Sequence, residues 1–397
     1  MPTVVTAAKL WDGAQFLDHP ILTVEDGRIL SLSTRADADS PAGNNALDFP
    51  AATLAPSFFD VHIHGAANHD VMEATPAALD SIGRFLAAHG TGCYLATTVT
   101  AAIDSTLRSL SGLAQLLNHP ADTRIARPIG IHLEGPFISH LKRGVHPPEY
   151  LQPADIALFD RFYDAAEGHV RLITLAPELH GAPELAAHAT SRGVRVSVGH
   201  SNATAAETRA VLAAGAVSAT HTFNAMRPLD HREPGILGVA LAEDSIYAEL
   251  ICDGIHTAPE MVKIWSRSKG PHRAILVTDA MSAAGMPDGE YRLGGLTVTV
   301  ANGRATSGGV LAGSVLTLDR ALANFLSFTG STLEHGLRLL TSNPAAMIGL
   351  PGSPGLPDSS GLAPSAGHLA PGHPANFVAV NPDGTLAASF LHGQPTS

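Results

Sequence analysis

From residue 53 onward, short runs of β-branched and other apolar residues alternate with Ala- and Leu-rich stretches, an alternation that predicts parallel βα units. Eight strand-like runs fall at 53–63, 92–99, 128–133, 170–175, 194–198, 216–220, 247–252 and 273–278. Helix starts are marked as well. Thr75-Pro76 places an N-cap before a proline at the first helical position, and Thr204-x-x-Glu207 and Thr257-x-x-Glu260 have the form of capping boxes. Eight such units over 53–350 predict an α/β fold, a TIM-like (β/α)8 barrel, with its site on the loops that follow the strands. The two ends of the chain read differently. Residues 1–52 and 351–397 are rich in strand-like pieces and poor in helix, so a small β-sandwich domain formed by both chain termini is expected. Within it, 352–371 is dense in Gly, Pro and Ser and reads as linker. After the last barrel strand, 291–306 carries Asn302-Gly303 between alternating apolar residues and predicts an inserted β-hairpin.

Composition then removes several function classes. The 397 residues are 45% hydrophobic and 15% charged, which is too apolar for a disordered chain. With 24 Lys+Arg against 36 Asp+Glu the net charge is −12, and Lys9, Lys142, Lys263 and Lys269 are its only lysines. No basic stripe exists to neutralise phosphates, so neither nucleic acid nor an anionic membrane is an expected partner. The first residues lack a basic segment followed by an apolar stretch, and no apolar run approaches the ~18 residues of a membrane span. Cys93 and Cys252 each lie in a short apolar run and read as buried free thiols, in keeping with a cytoplasmic protein. Histidine is the anomaly: 21 His nearly equal the whole Lys+Arg count. Imidazole is the commonest metal ligand and a frequent general base, so the positions of these residues matter.

Six of the eight predicted strands end in His, Glu or Asp: Asp60-Val-His62-Ile-His64, His132-Leu-Glu134, Gly199-His200, His221-Thr-Phe-Asn224, Asp253-Gly-Ile-His256 and Thr278-Asp279. Titrating side chains are costly to bury unpaired, so their concentration at one rim predicts a single polar site at the barrel mouth. His62 and His64, two apart on a strand, face the same way and can reach one ion, although a lone His-x-His is often incidental. Glu134, His200 and His221 end three different strands, and two imidazoles with one carboxylate form an open catalytic ligand set. Asp279 reads either as an N-cap or, facing a metal, as general base and then general acid.

In order along the chain, these phrases and others resemble one family. They are Pro56-Ser-Phe-Phe-Asp60-Val-His-Ile-His64-Gly, His132-Leu-Glu-Gly-Pro136-Phe, Lys142-Arg-Gly-Val-His146, His221-Thr-Phe-Asn-Ala-Met226, Arg232-Glu-Pro-Gly235, Leu311-Ala-Gly-Ser314 and Ser342-Asn-Pro-Ala345. The chain resembles the N-acetylglucosamine-6-phosphate deacetylases of the amidohydrolase superfamily over nearly its whole length. Ser57 and Asn376 depart from the family pattern, neither among the ligand positions. No lysine lies in 170–176 to serve as a carboxylated bridging ligand, which counts against the hydantoinase and dihydroorotase branches.

The resemblance implies a metal-dependent hydrolase of N-acetyl-D-glucosamine 6-phosphate that releases acetate. It assigns Glu134, His200 and His221 as main metal ligands, His62 and His64 as a second metal position, and Asp279 as the catalytic acid–base. It places His146 and His256 on the sugar or its acetyl carbonyl, and Asn224 and the Ala225 backbone on the phosphate. Arg232 is implied to reach the phosphate in the neighbouring subunit of a homodimer. Zinc is the expected cofactor, one or two ions per subunit, with Fe2+ or another divalent ion as alternatives. Two other readings remain: a deacetylase of another N-acetylhexosamine or a deaminase of the same superfamily, and a non-catalytic protein of the same fold.

Overall fold

The computed structural model describes residues 2–35, 46–119, 122–350 and 366–396. Eight parallel strands form the central sheet: β1 Phe58–Ile63, β2 Thr91–Thr98, β3 Arg127–Glu134, β4 Val170–Leu175, β5 Arg195–Val198, β6 Ala216–Ala219, β7 Tyr247–Ile251 and β8 Ala274–Val277. Each is followed by a helix: α1 Pro76–Ala88, α2 Ile103–Leu117, α3 Ile156–Ala165, α4 Ala182–Ser191, α5 Ala205–Ala213, α6 Gly235–Ala242, α7 Pro259–Arg273 and α8 Leu318–Thr329. The strands pair in sequence order from β1 to β8. Their runs are apolar because both faces are covered, by side chains inside the barrel and helices outside. The seam between β8 and β1 closes at the strands' C-terminal end. There Asp279 N–H donates to the His62 carbonyl at 2.9 Å and His64 N–H to the Ala280 carbonyl at 2.8 Å. The Thr278 hydroxyl donates to Asp60 Oδ2 across the same seam at 2.5 Å. Burial pushes the Asp60 carboxyl up to about 7, against these hydrogen bonds. Asp60 therefore belongs to barrel closure, and its neighbours His62 and Asp279 are held together by it.

The helix signals hold in two places and fail in one. The Thr75 hydroxyl accepts from Ala78 N–H, with Pro76 next, and Thr204 with Glu207 forms a full capping box. Thr257 does not cap: α7 starts one residue later on Ala258, and the Thr257 hydroxyl is buried without a partner. The Pro at position 259 sets φ at the first turn and decides the start.

The first predicted barrel strand, 53–63, divides in two. Ala46–Pro56 pairs with Thr3–Trp11 and Phe377–Val380 in a sheet of terminal strands, and only Phe58–Ile63 enters the barrel. That terminal sheet has eight strands, including Pro20–Glu25, Arg28–Thr34 and Leu386–Leu391. Period-two alternation serves two cores. Leu54, Phe377 and Ala379 join the small domain's own core, while Ala55, Val378 and Val380 face the barrel cluster around Trp265 and Phe325. Trp11 couples the two units, donating its indole N–H to Thr341 Oγ1 at 3.2 Å. Most of the predicted linker, 352–365, lies outside the described residues.

The predicted hairpin is larger than expected. Gly289–Leu293, Leu296–Ala301, Arg304–Ser307 and Val310–Leu311 form a four-stranded antiparallel sheet, with Asn302 and Gly303 in one of its turns. Gly294-Gly295 and Gly308-Gly309 supply the other turns, and positive φ at Gly294, Gly308 and Gly309 fits them. This sheet packs Leu293, Val298 and Val300 on Met281 and Val99 and lies beside the barrel mouth. Asp70 ties it down by accepting Gly294 N–H at 2.6 Å.

Candidate metal centre and active site

The strand ends converge as their pattern predicts. A cavity of about 260 Å³ at the barrel mouth is lined by His64, Glu134, His146, His200, His221, Asn224, Ala225, His256 and Asp279, with His62 fully buried behind them. The rim also includes Lys142, Leu293, Val310 and Leu311.

Local backbone explains how residues from six strands face one point. His200, His221, Ala225 and Asp279 all take positive φ, between +26° and +50°, unusual for residues other than glycine. His200, His221 and Asp279 each lie two residues beyond a strand end, where this conformation turns the chain sharply. Such conformations persist only where the surroundings hold them. Here Ser201 N–H donates to the Ala225 carbonyl at 3.0 Å, tying the loops after β5 and β6. Glu178, after β4, accepts from the Ser201 hydroxyl at 2.7 Å and from Asn202 N–H at 2.6 Å.

Glu134 is the centre of the cluster. Its Oε1 lies 3.0 Å from His221 Nε2, 3.2 Å from His200 Nε2 and 3.3 Å from His62 Nε2. Its Oε2 lies 3.2 Å from His64 Nε2 and 3.6 Å from His146 Nε2. Asp279 Oδ1 stands 3.1 Å from His64 Nε2 and 3.5 Å from His62 Nε2. Burial favours the neutral form of Glu134, but the charge of His62 and the surrounding imidazoles together outweigh it and hold the carboxyl well below its usual range. Burial likewise opposes charge on His62, and Glu134 and Asp279 override it, so His62 stays protonated well above the ordinary imidazole value. His64, buried but hydrogen-bonded to Asp279 and Glu134, is raised to about 9. Asp279 is lowered, its burial outweighed by His62 and His64.

Several observations fit a cation in place of those protons. His200 Nε2 and His221 Nε2 are 3.1 Å apart and share Glu134 Oε1. Both ring nitrogens of His62 and Nδ1 of His221 are buried without a hydrogen-bond partner. His64 Nδ1 faces the Thr97 carbonyl at 3.0 Å and His200 Nδ1 the Lys142 carbonyl at 3.0 Å. A carbonyl only accepts, so each Nδ1 carries the hydrogen and each Nε2 lone pair is free to point at an ion. Among the described residues, His62, Glu134 and His221, then His62, His64 and Asp279, then Glu134, His146 and His200 form groups with ligand atoms within 4.8 Å of one another. A His/Glu/Asp set of this kind, with one side open to a cavity, suits a catalytic divalent ion.

Arg232 is the exception among the predicted site residues. It is exposed on the loop before α6, its N–H bonded to Asp230 Oδ1 at 2.9 Å, and it does not line the cavity of its own chain. Three contributors were given no role by the sequence. Lys142 is the only Lys or Arg at the cavity among the described residues. Asp253 accepts from the His256 backbone N–H and meets His256 Nδ1 at 2.7 Å, which fixes that ring. Glu249 is fully buried in β7, with its Oε2 3.5 Å from His62 Nδ1. A single carboxylate inside the apolar run Tyr247–Ile251 was the available signal.

No protein-family model matches the sequence. The chain is 35% identical over 399 residues to the N-acetylgalactosamine-6-phosphate deacetylase of Escherichia coli O157:H7, covering 100% of both. It is 36% identical over 330 residues to the N-acetylglucosamine-6-phosphate deacetylase of Bacillus subtilis, covering 82% of this chain and 83% of that protein. Among solved structures, a mutant N-acetyl-D-glucosamine-6-phosphate deacetylase from Mycobacterium smegmatis in complex with N-acetyl-D-glucosamine-6-phosphate matches with a TM-score of 0.89 at 34% identity. That match covers 100% of this chain and 99% of the other. An enamidase of the amidohydrolase superfamily matches with a TM-score of 0.59 at 14% identity, a likeness of fold alone.

Proposed function

The chain belongs to the N-acetylglucosamine-6-phosphate deacetylase family of the amidohydrolase superfamily, and on that premise we propose that it hydrolyses N-acetyl-D-glucosamine 6-phosphate to D-glucosamine 6-phosphate and acetate. The observation that carries this reading is the convergence of Glu134, His200, His221 and Asp279 on one cavity. Zinc is the ion we propose, held by Glu134, His200 and His221, with His62 and His64 offering a second position. Such an ion supplies two things an amide needs, a water made acidic near neutral pH and a polarised carbonyl.

The chain's own groups do the rest. Asp279, kept ionised, takes the proton from the attacking water as the C–O bond forms at the acetyl carbon. It then returns that proton to the sugar nitrogen as the C–N bond breaks, so acetate and the free amine leave. His256, its ring held by Asp253, and Asn224 with the Ala225 backbone hold the sugar and its phosphate. Lys142 adds a positive charge at the mouth of the same chain. Arg232, exposed and away from its own cavity, is free to serve the site of a neighbouring subunit, which makes a homodimer the working unit. A cytoplasmic location fits the free thiols of Cys93 and Cys252. No helix among the described residues is long and apolar enough to cross a membrane.

Acetate release tests the reading. With purified protein, N-acetylglucosamine 6-phosphate is expected to yield acetate and no ammonia, and plain N-acetylglucosamine to react far more slowly. Ammonia release, or equal rates on both sugars, would point to another amidohydrolase reaction. The full-length match to an N-acetylgalactosamine-6-phosphate deacetylase keeps that epimer as the second reading, so N-acetylgalactosamine 6-phosphate belongs in the same assay.

A further inference from the structure

Histidines at one rim can ligate or donate, and their backbone partners decide which. His146, after β3, is buried, with its Nε2 turned toward Glu134. Its Nδ1 faces Thr100, two residues past the end of β2, twice: the Thr100 backbone N–H lies 3.3 Å away and its hydroxyl 2.8 Å away. A backbone amide can only donate, so Nδ1 must present its lone pair, and a neutral ring then carries its hydrogen on Nε2. The rotatable hydroxyl can donate to the same lone pair. This is the reverse of His64 and His200, whose Nδ1 atoms face carbonyls, so that in the neutral rings Nε2 is the atom left free to ligate. Glu134 does not absorb the His146 Nε2–H, since 3.6 Å is too long for a hydrogen bond. The close approach of Thr100 also depends on Gly135, at φ +80°, where a Cβ would collide with the Thr100 hydroxyl.

We propose that Thr100 is a positioning residue that fixes His146 in its Nε2–H tautomer, which removes His146 from the metal ligands and readies it as the donor for the acetyl-carbonyl contact that the family resemblance already implies. Spacing alone admits His146 to a ligand group with Glu134 and His200. The tautomer excludes it, because a protonated nitrogen has no lone pair to give. A donor aimed at the carbonyl gains strength as negative charge develops on that oxygen, so its effect falls on kcat more than on KM. The carbonyl half of this inference rests on the deacetylase reading; the tautomer half does not.

The test uses the zinc-loaded full chain, labelled with 15N at histidine, in a long-range proton–nitrogen correlation spectrum. The His146 signal is identified by its loss in His146→Gln. The expected pattern is a bare Nδ1 and a protonated Nε2. A protonated Nδ1, or an Nε2 bound to zinc, overturns the proposal. In kinetics, Thr100→Val keeps the backbone N–H but loses the hydroxyl, and about a tenfold fall in kcat with KM within twofold is expected. Thr100→Ser restores kcat to within about twofold of the parent. A loss confined to KM, or no rescue by serine, contradicts the role. If the spectrum shows Nε2–H but no N-acetyl sugar phosphate is hydrolysed, the tautomer stands and the deacetylase reading falls.

Discussion

Replacing Asp279 with asparagine separates acid–base chemistry from metal binding. Asp279 pairs with His62 and His64, through Oδ1 at 3.5 and 3.1 Å. It makes no such pair with His200 or His221, which pair with Glu134 instead. Asparagine keeps the shape and an oxygen that can still accept from a protonated His64, so Glu134, His200 and His221 retain their geometry in Asp279→Asn. What is lost is the group that takes and returns a proton. A positioned general acid–base is worth about 10²–10⁴ in rate, equivalent to roughly 2.7–5.4 kcal/mol of barrier at 1.36 kcal/mol per decade. The expected result is therefore a fall in kcat of that size, an unchanged metal content by elemental analysis, and KM within about threefold of the parent. The assay is acetate release under saturating substrate with both proteins equally metal-loaded. Full activity in Asp279→Asn would refute the mechanism. A loss of activity matched by an equal loss of metal would show instead that Asp279 is mainly a ligand.

Metal removal should expose the charged histidines. His64 rises from an ordinary value near 6.5 to about 9 in the folded metal-free chain, and His62 moves the same way. Their stabilisation is full below about pH 6.5 and is lost as pH rises through about 9, so the Tm of chelated protein should fall across that window; a flat or rising Tm contradicts the assignment. Metal uptake at the His62 and His64 position must displace the same protons, and binding there should tighten over the same range. Arg232→Ala is expected to raise KM for the phosphorylated sugar about tenfold or more with kcat little changed, and an unchanged KM removes it from the phosphate site. Asp70→Ala cuts the tie to Gly294 N–H, which should cost about 1.5–3 kcal/mol and speed proteolysis within 289–311. Unchanged cleavage there would show that the sheet is held mainly by its apolar face on Met281.

Much of the fold was legible because periodicity and capping report local structure. Eight buried strands read as apolar runs, and Thr204 with Glu207 announced α5 by chemistry that needs no distant partner. The failures share a cause. Thr257 with Glu260 has the same form, yet Pro259 starts α7 one residue later. The run 53–63 looks continuous, but Ser57 marks where the chain leaves one sheet for another, a choice made by pairing with residues more than 300 positions away. Ligand candidates were readable because His and Glu at strand ends have few structural uses there. The partners that tune them were not: Thr100, Lys142 and Glu249 act through geometry across loops and strands, and Thr97 and Lys142 meet imidazoles through backbone carbonyls that no sequence pattern records. Arg232 shows the remaining gap, since the target proposed for it belongs to a second copy of the chain.

The most direct test of the account is acetate release by metal-free protein titrated with zinc, using N-acetylglucosamine 6-phosphate as substrate. Activity should be absent without metal, rise with added zinc, and stop rising once the Glu134, His200 and His221 position is filled; Glu134→Gln should abolish the rise. Full acetate release from metal-free protein, or a zinc response preserved in Glu134→Gln, would contradict a hydrolase built on that centre.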